Sequence, residues 1–403
     1  MSLNHLKRLN FSKITQHRSI NTLKLSNEHS NLQKICRKFA EKELKPFASM
    51  FDRENKFPSE QIKKLGELGL MSIVAAKKWG GSEFDTLSLS IAVEEISRCC
   101  GGTGAIVSIH NSLYIDLVNN LCNNQQKEVF LKPFVGGEIG CFALSEPDAG
   151  SDVGNISTTA TEKNDYYLLN GTKSWVTSGN VGKAAVVFAT IDKNLAHKGI
   201  TAFLIPIPTP GLTIGKLEDK MGIRASPTVS FYLENVKVAK KNIIGNVGDG
   251  FKIAMKQLDK ARIGIASQAL GIGQAALDVA VDYVSTRKTF GKFLSEHQAV
   301  KLKISDMCQK LESARLLVWR AAVIADDDNI SYTRESALAK IAASDAAIDI
   351  SHNALQILGG IGYVKDMSAE RHYRDARITQ IYGGVTDILK MIVGDLEVKK
   401  HKM

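Results

Sequence analysis

The hydrophobic period changes twice along this chain of 403 residues, and that constrains the fold more than any single motif. From about residue 28 to 140 apolar side chains recur at helical spacing, as in Leu32, Ile35 and Phe39, then Ile62, Leu65 and Leu68. Pro46 and Pro58 punctuate the early turns, and Trp79-Gly80-Gly81 separates two helical stretches. Near residue 141 short β-rich runs take over, at 166–169, 185–191, 200–207 and 229–238. Turn formers lie between them: Asn170-Gly171, Ser178-Gly179-Asn180 and Pro208-Thr209-Pro210-Gly211. Helical periodicity returns at Phe251 and continues almost to the end, with Ile341, Ile348 and Leu355 seven residues apart, as bundle helices have. The sequence therefore predicts an α+β multidomain chain. A leader at 1–24 precedes an N-terminal helical domain at 25–140, a barrel-like β domain at 141–247 and a C-terminal four-helix bundle at 248–403.

The leader is read from charge. Lys7, Arg8, Lys13, Arg18 and Lys24 meet no acid before Glu28, and Leu6, Leu9, Phe11, Ile14 and Ile20 are interspersed. A basic, acid-free, amphipathic N-terminus has the pattern of a mitochondrial transit peptide, so the expected location is the mitochondrial matrix. The rest of the +10 net charge is spread along the chain without an aromatic-interleaved basic patch, which argues against nucleic-acid binding. No apolar run approaches the roughly 18 residues of a membrane span. Cys36, Cys99, Cys100, Cys122, Cys141 and Cys308 form no CxxC pair, so neither a metal site nor a disulfide framework is expected, and buried reduced thiols are.

Several segments carry chemistry. Gly271-Ile272-Gly273-Gln274-Ala275-Ala276 has the spelling of a dinucleotide fingerprint but no strand before it, so close helix packing is the better reading. Residues 142–152 read Phe142-Ala143-Leu144-Ser145-Glu146-Pro147-Asp148-Ala149-Gly150-Ser151-Asp152, a turn rich in donors with a glycine that permits close approach. Asn170-Gly171-Thr172-Lys173 leads into Trp175-Val176-Thr177, where a lone tryptophan is more often core than binding wall. Arg287-Lys288-Thr289-Phe290-Gly291 is followed by Gln298, and an arginine fork suits phosphate oxygens. Gln356-Ile357-Leu358-Gly359-Gly360 can serve as a helix C-cap. Asp259-Lys260-Ala261-Arg262 and the charged run 370–377 complete the set. Within that run a salt-bridge network suits His372 better than catalysis.

In this order and spacing the segments resemble the acyl-CoA dehydrogenase family over nearly the whole chain after the first 25 or so residues. Stretches such as 264–270 and 208–213 place it nearest the short-chain, butyryl-type members. The resemblance implies FAD-dependent α,β-dehydrogenation of a short-chain acyl-CoA to the trans-2-enoyl-CoA in fatty-acid β-oxidation. Electron-transferring flavoprotein is then the implied acceptor. It implies flavin contacts from Phe142, Ala143, Leu144, Ser145, Gly150, Ser151, Trp175, Val176 and Thr177, and pyrophosphate pairing by Arg287. It implies that Gln298 and Gln356, Ile357, Leu358, Gly359 and Gly360 reach the FAD of a neighbouring subunit, hence a homo-oligomer, expected as a tetramer. Val385, Thr386 and Asp387 match its cofactor side of the last loop, and Ser151, Asp259, Lys260, Ala261, Arg262 and Gly384 its substrate contacts.

One stretch departs from that pattern. The resembling loop carries Glu-Gly-Thr where this chain has Gly383-Gly384-Val385, and the glutamate is the family's catalytic base. Some relatives carry the glutamate one residue before the arginine of the substrate-contact helix, and here that residue is Ala261. Gly383 keeps the backbone N–H that donates to the thioester oxygen. An α proton beside a thioester is a very weak acid, so abstraction needs a positioned carboxylate. Loss of a general base typically costs about 10²–10⁴ in rate. Asp387 and Asp259 are the candidate replacement bases, with a structural role the plainer reading of Asp387. The alternative to a working dehydrogenase is a catalytically weak acyl-CoA- and FAD-binding pseudoenzyme or partner subunit.

Overall fold

The structure, a computed structural model, describes residues 25–402. The proposed leader therefore lies outside the described residues. Seven α-helices come first: α1 (Asn27–Phe39), α2 (Ala48–Arg53), α3 (Ser59–Glu67), α4 (Thr86–Cys99), α5 (Gly101–Ile109), α6 (Asp116–Leu121) and α7 (Asn124–Phe130). A π-helical stretch, His110–Ile115, joins α5 to α6. Such single-turn widenings often mark functional positions.

Eight strands follow: β1 (Gly140–Ala143), β2 (Thr159–Glu162), β3 (Tyr166–Thr177), β4 (Ala184–Thr190), β5 (Ile200–Pro206), β6 (Leu212–Ile214), β7 (Thr228–Ala239) and β8 (Ile243–Ile244). They form one sheet in the order β6-β7-β3-β2-β4-β5-β8, with β1 alongside β4 in parallel. The path runs from β6 to β8, whose outer edges do not pair with each other, and makes up the expected β domain. Strand β4 explains how it sits. Ala185, Val187 and Ala189 join a core with the N-terminal helices, while Ala184, Val186 and Phe188 join a second core with Tyr114, Leu117 and Ala254. Successive side chains point to opposite faces, and both faces of this strand are covered.

The expected turn at Asn170-Gly171 is instead an irregularity inside the twelve-residue strand β3, where the register with β7 shifts between Leu169 and Gly171. Gly171 supplies the positive φ of 147° there. A residue with a side chain at that point would drive its β-carbon to 2.7 Å from Thr158 Cα.

The C-terminal part contains α8 (Gly250–Thr286), a short β9 (Lys288–Thr289) and β10 (Lys292–Phe293) hairpin, α9 (Gln298–Ile324), α10 (Thr333–Leu358), α11 (Ala369–Ile378) and α12 (Thr386–His401). Three long helices and two shorter ones make up the expected C-terminal helical domain. Ala339, Ala343, Ala346, Ala347, Ile350 and Ala354 form the buried stripe of α10, while Ile348 and Leu355 of the seven-residue repeat pack at its edge. Small residues bring α8 close to its neighbours. A β-carbon on Gly271 would lie 2.2 Å from the Glu94 carbonyl oxygen of α4, which explains the glycine motif as packing. Helix α8 also has the length and hydropathy of a membrane span, unlike the expectation from apolar runs, but 83% of its most apolar window is buried inside the protein. Of the cysteines, Cys308 is exposed and the other five are buried.

Candidate active site

Two corners of the molecule gather the predicted residues. The first is built where β1 runs into the turn at 144–151. Lys173, wholly buried on β3, donates to the Leu144 carbonyl at 3.0 Å and to Glu146 Oε1 at 2.6 Å. Glu146 also accepts from Ser157 N, Ser157 Oγ and Thr158 N at 2.6, 2.7 and 3.0 Å. Burial pushes the Glu146 carboxyl up, but Lys173 and these donors outweigh it and hold it down at about 2. Burial lowers Lys173 to about 8, against the pull of Glu146. Ser174 N donates to the Ser145 carbonyl at 2.8 Å, which fixes the turn against the strand.

A second register shift, between Lys173 and Val176, then re-aims the next residue. Trp175 leaves the sheet with φ 60° and 65% of its surface exposed. A positive φ is costly for a bulky residue and persists only where its surroundings hold it. Gly150 and Ser151 lie exposed beside this corner in sequence, with open space around the Gly150 Cβ position. The side chains of Ala143, Leu144 and Val176 face the interior, so only their backbones are presented. Phe142 is half-buried, its ring 5.0 Å from that of Phe188.

The second corner is the loop between α11 and α12. Tyr382 O–H donates to Gln268 Oε1 of α8, and Gln268 Nε2 donates to the Gly101 carbonyl at 2.9 Å. Gly383 and Gly384 follow with φ 64° and 104°. Thr386 N and Oγ1 close the loop onto the Gln380 carbonyl at 3.1 and 3.2 Å. Val385 stands at the N-cap of α12 with no side-chain bond to it. Above the loop, Arg262 donates to Asp259, whose other oxygen accepts from Thr333 Oγ1 at 2.6 Å. Burial raises the Asp259 carboxyl, against Arg262, which lowers it. Both its oxygens are thus committed, and Asp387 is exposed in the first turn of α12, so neither candidate replacement base faces a free pocket.

Lys260 turns the other way. Its ammonium donates to Thr86 Oγ1 at 2.6 Å and lies 3.8 Å from Asp116 and Asp326, so it serves the core and not a ligand. Ala261 joins Ile109 and Leu113 in a small apolar cluster, with Phe142 and Tyr382 packed against it. This cluster draws on the π-helical region, α8, β1 and the glycine loop together. His110, next to Ile109 in sequence, accepts from Gly140 N at 3.2 Å and stacks on Tyr114, and burial lowers its ring to about 4.

The remaining predicted residues stand apart. Arg287 and Gln298 are exposed at the hairpin and the start of α9, with Phe290 97% exposed between them. Gln356, Gly359 and Gly360 are exposed at the end of α10, and Tyr363 follows at 85%. No hydrogen bond or ion pair among the described residues joins them to the Ser145 and Trp175 corner. The charged run 370–377 is structural: Arg374 pairs with Asp52 at 2.7 Å and Glu370 at 2.6 Å. His372 is buried behind it and lowered to about 3, chiefly by burial. Sequence reasoning missed Lys340 of α10, wholly buried, whose ammonium donates to the Gly384 carbonyl at 2.7 Å. Its only sequence signal is a lysine inside an alanine-rich stripe.

Comparison with known proteins agrees with this layout. The acyl-CoA dehydrogenase N-terminal domain matches residues 26–138, the middle domain 141–236 and the C-terminal domain 248–396. The mouse (Mus musculus) mitochondrial short-chain specific acyl-CoA dehydrogenase is 52% identical over 387 residues, covering 96% of this chain and 94% of that protein. The structure of butyryl-CoA dehydrogenase from Megasphaera elsdenii superposes with a TM-score of 0.91 at 40% identity, covering 94% of this chain and all of that one. A chain from a structure of the electron-transferring flavoprotein of Acidaminococcus fermentans does so at 0.91 and 39% identity, covering 93% of this chain and 98% of that one. The chain belongs to the acyl-CoA dehydrogenase family.

Proposed function

We propose that the chain holds FAD against the Ser145 and Trp175 corner and a short-chain acyl-CoA thioester between that corner and the Gly383 loop. In this reading it polarises the thioester but abstracts the α proton poorly. When bound, FAD accepts hydride from the β carbon of an acyl thioester. The corner fits that group. An exposed tryptophan is held out by a β-bulge near an open glycine, which suits stacking against a planar ligand. The apolar cluster of Ile109, Leu113 and Ala261 is small, which suits a short acyl chain.

At the loop, Gly383 N–H remains to polarise the thioester carbonyl, which makes the α proton more acidic. No side chain then receives that proton. Asp259 is tied to Arg262 and Thr333, and Asp387 points to solvent. The observation that carries the reading is Gly383 itself: φ 64°, no side chain, in the loop where the family's carboxylate belongs.

Arg287, Phe290, Gln298, Gln356, Gly359 and Gly360 are exposed, and no hydrogen bond or ion pair among the described residues joins them to the first corner. This supports a homo-oligomer, of tetramer type, in which each copy completes its neighbour's cofactor site. The mouse relative's mitochondrial designation supports a mitochondrial location, and the A. fermentans match supports electron-transferring flavoprotein as the acceptor for whatever turnover occurs.

The test is anaerobic titration of the FAD-loaded protein with butyryl-CoA. The expected result is a perturbed flavin spectrum without bleaching over minutes. Rapid bleaching overturns the deficiency, and absence of any perturbation overturns the site.

A further inference from the structure

The glycine loop is flanked by two buried cations, Lys340 and Arg262, each with donor capacity that the described residues leave unmatched by an acid. Lys340 has no ion pair among the described residues and rests on the Gly384 carbonyl. Arg262 is 7% exposed, and its Nε is buried without a partner, while its Nη1 is held by Asp259. A β-carbon built on Gly384 would stand 3.7 Å from that Nε, so both cations border the same backbone unit.

The other charged groups nearby are already engaged. Asp259 on α8 accepts from Arg262 and Thr333, and Asp345 on α10 accepts from Gln380 Nε2 at 2.6 Å. Asp387 on α12 is exposed. The loop contributes only Tyr382, two glycines and Val385. Burial, and next to it the charge of Arg262, lowers Lys340 to about 8, and the charge of Asp345 offsets this only in part. A buried guanidinium N–H without an acceptor is destabilising, and a carboxylate is its best-matched partner.

We propose that Arg262 Nε, the Lys340 ammonium and the Gly383-Gly384 backbone form a carboxylate subsite, filled by a carboxylate that the chain does not itself supply. The carboxylate comes either from a small free acid or from the far end of a dicarboxylic acyl thioester. This rests on the reading of the loop as part of the acyl-CoA site. A free carboxylate held there also completes the chemistry. Its oxygen would take the α proton and later release it to solvent, while FAD, when bound, would supply the acceptor for the β hydride.

The experiment uses the full-length, FAD-loaded protein with sodium formate, butyryl-CoA and succinyl-CoA, the last two matched in carbon count. If the source is a free acid, formate raises the melting temperature saturably and speeds flavin bleaching by butyryl-CoA at least tenfold. Sodium chloride at equal ionic strength does neither. If the source is the acyl chain, succinyl-CoA binds at least tenfold more tightly than butyryl-CoA, measured by flavin absorbance. Either effect should vanish in Lys340→Met, with Lys340→Gln as the second variant and a cooperative melt as the check on folding. The proposal is overturned if formate acts only as chloride does and succinyl-CoA shows no advantage, or if the effect survives in both variants. Failure of butyryl-CoA to perturb the flavin would instead refute the acyl-CoA reading, while the formate melt still decides the subsite.

Discussion

Two lysines in this protein are completely buried, and they have opposite surroundings. Lys173 meets Glu146 at 2.6 Å, in a network whose other members are backbone and hydroxyl donors to the same carboxylate. Lys340 meets one carbonyl oxygen and a second cation. The first arrangement is closed: every charge has its partner, and the result is a rigid corner that sets the turn at 144–151 and the bulge at Trp175. The second is open, at the glycine loop that the proposed reading makes the base position. A buried charge that is paired fixes geometry, whereas one left unpaired retains a demand for an anion.

Breaking the closed side should have the largest effect. Glu146→Gln leaves Lys173 buried without its counter-ion, and a loss of about 3–5 kcal/mol is expected in chemical denaturation. The acid limb should change too. The folded carboxyl, at about 2, is below its ordinary 4.5, so its contribution is present above pH 4.5 and is lost as pH falls towards 2. The variant's stability should therefore be flatter than wild type over that window. An unchanged denaturation midpoint would show that the pair does not hold the corner together.

The two sides differ in how far they were legible. Glu146 and Lys173 both lie in motifs that the sequence displays, and the change of period around them revealed the β domain. Their pairing was hidden because it depends on the turn after β1 lying against β3, far along the sequence. Asn170-Gly171 read as a turn because the dipeptide favours positive φ, and the strand used that freedom for a bulge. The expectation that Gly383 stands at the family's base position came from the resemblance alone. Lys340 was not, since a lysine in a helix is ordinarily solvated, and only the packing of α10 under the glycine loop removes it from water. Lys260 was misread for the same reason in reverse: its neighbours in sequence suggested a ligand contact, but helix phase turns its ammonium into the core beside Thr86. Arg287 and Gln356 were legible as motifs, yet within one chain no hydrogen bond or ion pair joins them to the Trp175 corner.

Restoring the carboxylate sharpens the open side. Gly383→Glu should speed flavin reduction by butyryl-CoA about 10²-fold or more. It should also cost about 1–3 kcal/mol of stability, because φ is 64° and the new β-carbon starts 2.2 Å from Ile265 Cδ1. Ile265→Val removes that methyl at about 0.5–1.5 kcal/mol by itself. In the double variant the two costs should sum to less than their separate values, since the residues share one space. A double variant that folds, binds butyryl-CoA and still fails to reduce flavin would refute the view that proton abstraction is the missing step.

The pH dependence of Lys340 separates it from a merely structural lysine. Its folded value, about 8, lies below the ordinary 10.5, so the unfolded chain binds the extra proton between those values. Stability from this group therefore rises with pH across that window, the reverse of a lysine held by an acid. Relative to Lys340→Met, wild type should gain about 1 kcal/mol per pH unit between pH 8 and 10. A constant difference would mean that the ammonium already has its counter-charge.

Val385 gives the smallest effect and the cleanest separation of loop order from chemistry. It is the N-cap of α12 at φ −61° and ψ 144°, the extended geometry in which a threonine hydroxyl accepts from the first turn of a helix. A valine leaves those N–H groups without that partner. Val385→Thr should stabilise the protein by about 0.5–1 kcal/mol, read from the denaturation midpoint. Flavin reduction by butyryl-CoA should stay within about twofold of wild type, since an ordered loop still has no base. If the threonine alone restored reduction, the defect would be loop disorder and not the missing carboxylate. The contrast between a closed corner and an open one would then be a contrast in rigidity, with the charge of Lys340 incidental to it.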